Sequence, residues 1–135
     1  MSRLAGLVLA FLLVPSLALA GAERYALVVG ANQGGPGFSQ LFYAEEDARR
    51  VADVLGQLGS VPERNTTLLA TPTVAQLRAA LERLTDDVTR SRAAGAEHVT
   101  VLFFYSGHAD PDALRLGRGA LPFTELKEGL MATGA

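Results

Sequence analysis

Apolar residues along this chain recur with two periods, and the changes from one to the other mark out its elements. Tyr25-Ala-Leu-Val-Val29 is a short apolar run stopped by Gly30, which predicts a strand buried on both faces. Residues 31–40 hold Gly34, Gly35, Pro36 and Gly37 and predict a loop. Leu41, Ala44, Ala48, Val51, Leu55 and Leu58 then recur at alternating steps of three and four, painting one helical face, with Gly59 suited to the C′ position that ends the helix. A second short strand is predicted within Asn65 to Ala70, around Thr66-Thr-Leu-Leu69. Thr73 with Gln76 fits a capping box, opening a helix whose stripe is Val74, Leu77, Leu81, Leu84 and Val88 and which closes near Gly95.

Val99-Thr-Val-Leu-Phe-Phe-Tyr105 carries the strongest strand signal of the sequence. Ser106-Gly-His-Ala-Asp110 follows, then Leu114 and Leu116 among the turn formers Gly117, Gly119 and Pro122, and a last helix over about residues 123–131. The order β-α-β-α-β-loop-α predicts an α/β domain with right-handed crossovers and a parallel sheet covered by helices. Three strands make a thin sheet, and a helix in such an alternation normally feeds another strand, whereas this chain stops at Thr133-Gly-Ala135. The pattern therefore reads as a domain truncated after its third core strand and the helix that follows.

The first 20 residues stand apart. Fifteen of them are hydrophobic, Arg3 gives a basic start, the apolar stretch Leu4 to Leu19 is broken by Pro15 and Ser16, and Ala18-Leu19-Ala20 is a small-x-small cleavage pattern. Residues 1–20 are thus expected to be a cleavable signal peptide, with Gly21 as first mature residue and export to the periplasm or medium. The apolar stretch is shorter than the roughly 20 residues of a spanning helix, so no stable membrane anchor is expected. Residues 21–135 then form one domain, and loss of Arg3 leaves 11 Lys+Arg against 14 Asp+Glu, a side-chain charge of −3. That balance argues against a nucleic-acid partner. The absence of cysteine excludes disulfides, thiolate metal sites and a catalytic thiol within these residues.

His108 is the first candidate for chemistry. It follows the strongest strand, at the edge where parallel α/β sheets carry their ligands, and Gly107 permits the sharp turn that would lift the imidazole over that edge. With an unperturbed pKa near neutrality it suits a general base, although a plain surface-loop histidine fits the spacing equally well. The other features are weaker. The Gly-rich loop matches neither phosphate-binding spacing, Ser106 lacks a nucleophile elbow, and His98 simply precedes a strand. His108, Asp110 and Asp112 are too few for a committed metal site, so neither metal nor cofactor is expected. Asn65-Thr66-Thr67 matches a glycosylation acceptor, relevant only on a eukaryotic secretory route.

Four segments in order carry a family resemblance. Tyr105-Ser-Gly-His108 after a hydrophobic strand resembles the catalytic-histidine motif of the caspase-like cysteine peptidases, the group of caspases, metacaspases and their bacterial relatives. Arg24 to Asn32 resembles that family's first strand and loop, and Tyr43-Ala-Glu-Glu-Asp-Ala48 the start of its first helix. Leu114-Arg-Leu-Gly117 and Leu121 to Leu126 resemble the hairpin and helix after the histidine. The resemblance implies a three-layer αβα fold and a Cys-His dyad acting on a peptide or protein substrate. His108 would be its general base and acid, and the N–H of Ala109 one oxyanion donor, with Ala standing where many relatives have Gly.

Asp47, in the acidic cluster Glu45-Glu46-Asp47, would help form a pocket for a basic substrate residue, as in metacaspase-like relatives. Acids in a first helical turn are also stabilised by the helix dipole alone. The family's cysteine lies about 50 residues after the histidine, which projects to about position 158, whereas this chain ends 27 residues after His108. As supplied, the chain should not cleave peptides. Two alternatives remain at this point: an inactive exported caspase-like binding module, and a small phosphate- or nucleotide-binding α/β domain using the glycine loop.

Overall fold

A computed structural model describes residues 21–135; the expected export segment, residues 1–20, lies outside them. The elements are β1 (Ala22–Gly30), α1 (Ala44–Gln57), a single 3-10 turn (Glu63–Asn65), β2 (Thr66–Ala70), α2 (Val74–Ala93), β3 (His98–Ser106), β4 (Ala113–Leu116), β5 (Gly119–Pro122) and α3 (Phe123–Ala132). β1, β2 and β3 form a parallel sheet in the order β2-β1-β3, and β4 and β5 form a separate antiparallel hairpin.

The period of two along β1 builds the three layers. Tyr25, Leu27 and Val29 point to one face, where they pack with Leu77, Leu81, Leu84 and Val88 of α2, Leu121 of β5 and Leu126 of α3. Ala26 and Val28 point to the other, against Ala48 of α1, with Val51, Ala52 and Leu55 alongside. The expected strand buried on both faces is thus the central one. The expected αβα arrangement holds.

Strength of the apolar signal does not track burial. β3 has the longest apolar run, yet it is an edge strand: it pairs with β1 on one side and with no strand on the other among the described residues. Its inner-face residues Val99, Val101, Phe103 and Tyr105 join the α2–α3 core, whereas Leu102 on the α1 side is 37% exposed.

α2 starts as predicted. The Thr73 hydroxyl accepts the Gln76 N–H at 3.2 Å, and the Gln76 side chain accepts the Thr73 N–H at 2.8 Å.

α1 departs from expectation at both ends. It begins at Ala44, so Leu41 stays in the preceding loop. It ends at Gln57, and Leu58, expected on the buried face, is 82% exposed because the chain leaves the helical path there. Gly59 follows the C-cap residue Leu58 as expected, but the left-handed residue is Ser60, with φ 55°. Glycine is needed at 59 for space, since a Cβ there would lie 2.8 Å from the Leu55 carbonyl oxygen.

Candidate functional site at the carboxyl edge of the sheet

The parallel register brings two loops together. Val29 pairs with Tyr105 and Gly30 with Ser106, so β1 and β3 end level, and the Ala31 N–H donates to the Ser106 carbonyl at 2.8 Å. The β1–α1 loop (residues 31–43) and the β3–β4 turn (residues 107–112) therefore leave the sheet side by side. The first is closed by the Leu41 N–H on the Asn32 carbonyl at 2.8 Å and tied to the hairpin by the Gly117 N–H on the Gln33 carbonyl at 3.0 Å. Tyr43 supplies no side-chain cap to α1; Asn32 Oδ1 instead accepts the Glu45 N–H at 3.2 Å, so the loop itself satisfies the helix start.

His108 stands where the two loops meet, partly exposed. The Arg115 N–H donates to its carbonyl at 2.8 Å and the Asp110 N–H donates to the Ala113 carbonyl at 3.0 Å. Those two bonds flank the antiparallel bridge between Ala109 and Leu114, so the Ala109 N–H faces away from β4. It donates to no acceptor among the described residues.

The imidazole is held from the opposite side. Its Nε2 lies 2.6 Å from the Ser39 carbonyl oxygen, and its ring stacks on Phe38 with centroids 4.9 Å apart at 48°. Gly34 makes room for both: a Cβ there would fall 2.6 Å from His108 Cδ2 and 2.7 Å from Phe38 Cβ. A carbonyl oxygen only accepts, so Nε2 carries a hydrogen in either protonation state. Nδ1 is then the nitrogen left free to exchange a proton.

Tyr105, three residues before the histidine, reaches back under the turn. Its phenol oxygen lies 2.7 Å from the His108 carbonyl and 2.7 Å from the Arg115 carbonyl. Burial pushes this phenol up to about 12, so it stays a protonated donor at ordinary pH. The Arg115 guanidinium lies over the Phe38 ring, 5.2 Å from its centroid, and 3.7 Å from the Asp110 carboxylate.

An open recess of about 470 Å³ adjoins the imidazole through Gly34 and Phe38, with Gln33, Gln40 and Arg118 on its other walls. Three glycines of the loop, Gly34, Gly35 and Gly37, line it as well. Asp110 is turned to its own loop, where it accepts the Asp112 N–H at 3.0 Å, and no cluster of three metal-ligating side chains occurs among the described residues.

The structure thus joins His108 with Ala109 at one edge but leaves Asp47 outside this recess, exposed on the first turn of α1. Glu45 is engaged by Thr71 and Arg49, and Glu46 by Arg50. The Asp47 carboxylate makes no hydrogen bond or ion pair among the described residues.

Ser39 and Phe38 are the site residues that pattern reading missed. Ser39 acts through its backbone carbonyl, which any residue would supply. Phe38 stands alone in a glycine-rich loop, without periodic company. Only its being the one large apolar side chain between Asn32 and Gln40 could have singled it out.

No curated protein and no solved structure matches the chain. The family model of the caspase domain matches residues 23–130, from within β1 to within α3. That span takes in the sheet, both loops at its edge and the hairpin behind His108, and on it the chain belongs to the caspase domain family, whose kind is the cysteine peptidase.

Proposed function

We propose that this chain supplies the imidazole half of a caspase-type Cys-His peptidase site, with the thiol contributed by polypeptide outside these 135 residues. The observation that carries the reading is the fixed imidazole. Nε2 is occupied by the Ser39 carbonyl and Nδ1 is left to move a proton, at the edge where two parallel strands end. The sequence holds no cysteine, so this reading requires the thiol to come from elsewhere.

In this mechanism Nδ1 accepts the thiol proton and the thiolate attacks the peptide carbonyl. The tetrahedral oxyanion takes the hydrogen bond of the free Ala109 N–H. The imidazolium returns its proton to the leaving amine as the C–N bond breaks, giving a thioester that water then hydrolyses. The substrate is a peptide or protein. The test is peptide hydrolysis by the protein expressed from its complete reading frame, as wild type and as His108→Ala.

Asp47 enters as an outer contact for a basic substrate residue, supported by its unpartnered carboxylate. Asp47→Asn should raise KM for Arg- or Lys-containing peptides while leaving neutral ones alone, and equal KM values for both would remove it. Export is proposed on Arg3, the apolar stretch to Leu19 and Ala18-Leu19-Ala20. Mature protein recovered outside the cytoplasm should begin at Gly21, and an intact Met1 would contradict export by cleavage.

A further inference from the structure

We infer that Tyr105 is a positioning residue for His108, its phenol holding the histidine's main chain where the imidazole can reach the Ser39 carbonyl. The inference rests on the reading of His108 as the general base. It begins from a simple geometric need: a histidine ring on a turn is fixed in space only if both ends of its side chain are fixed.

The far end is fixed by Nε2 on Ser39. The near end belongs to Gly107-His108, which follow Ser106, the last residue of β3, and whose one main-chain bond is the Arg115 N–H on the His108 carbonyl. Gly107 adds no side chain to stiffen them.

The Tyr105 hydroxyl makes up the deficit. It shares one proton between the carbonyls of His108 and Arg115, so it binds the residue that carries the imidazole to the strand that backs it. The His108 carbonyl has two lone pairs, and both are used, one by Arg115 N–H and one by the phenol. Gly107 is part of the same device, because a Cβ on it would lie 2.4 Å from the phenol oxygen. Without the tether the His108 carbonyl keeps only the Arg115 N–H, and a shift of about 1 Å at the imidazole is enough to cost about 10²-fold in rate.

Tyr105→Phe removes the hydroxyl and keeps the ring in the core. The readout is nitrogen and proton NMR of His108 in the chain itself. The wild type should show one tautomer, protonated at Nε2, with slow exchange of that proton. In the variant, Nε2–H exchange should accelerate about tenfold, the factor that one lost hydrogen bond allows, and the second tautomer should appear. Amide protection in β1 and α2 should stay unchanged. An imidazole with the wild-type tautomer and exchange rate in Tyr105→Phe overturns the inference.

Should that variant fail to fold, Gly107→Ala, which displaces the phenol without removing it, must alter the tautomer in the same way; a wild-type imidazole there overturns it equally. The two readings separate cleanly. A Tyr105-dependent imidazole together with hydrolysis indifferent to His108→Ala leaves the tether standing and removes the peptidase role. Hydrolysis lost in His108→Ala with an imidazole indifferent to Tyr105→Phe does the reverse.

Discussion

At the scale of single residues, the chemistry of this edge comes from side chains that orient one another. His108 stood out in the sequence as a histidine directly after the strongest strand, but spacing fits a surface-loop histidine as well, and the family resemblance is what favours the functional reading. Its orientation was not legible, since the group that fixes its tautomer is a main-chain carbonyl, and the tyrosine beneath it reads as one more apolar strand residue. The Tyr105 phenol makes a prediction at this scale. In the unfolded chain it ionises from about pH 10, whereas in the fold burial keeps it protonated up to about 12. Between those values the unfolded state binds fewer protons, so stability falls as pH rises. The stability difference between wild type and Tyr105→Phe in denaturant titrations should be flat below pH 10 and shrink above it. A difference that stays constant to pH 12 would contradict the buried, donating phenol.

At the scale of elements, periodicity located every helix and all three parallel strands, and the misreadings have physical causes. The α1 stripe was extended through Leu58 because spacing alone cannot tell where a helix stops; the chain turned one residue earlier and left that leucine in water. β3 carries the strongest strand signal yet lies at the edge, because apolar content reports what a segment could bury, not what neighbours it has. The start of α2 was read correctly because the capping box is a local interaction that needs no tertiary partner. Thr73→Ala removes the hydroxyl that accepts the Gln76 N–H and should destabilise the protein by about 1 kcal/mol. Chemical denaturation measures this, and the first turn of α2 should lose amide protection before the rest of the helix. An unchanged midpoint would mean that the cap contributes nothing to this helix.

At the scale of the whole molecule, three layers meet at a single functional edge. α1 covers one face of the sheet and α2 with α3 the other, so the loops that can carry function are those at the strand ends. The hairpin β4–β5 packs behind that edge through Leu114, Leu116 and Leu121, giving the histidine turn a rigid back. The layer order was legible from the alternation of elements and from the family resemblance. The recess beside His108 was not, because it forms only when the glycine loop with its Phe38 and a hairpin turn converge from opposite ends of 86 residues of chain, Gln33 to Arg118.

The catalytic claim stands or falls on one assay, peptide-bond hydrolysis by the protein made from its complete natural reading frame, with His108 intact and replaced by alanine. The account predicts a thiol-dependent activity that drops about 10²- to 10⁴-fold in His108→Ala while circular dichroism and thermal unfolding stay those of the wild type. Hydrolysis that survives the replacement undiminished, or a reading frame that supplies no cysteine at all, would contradict it.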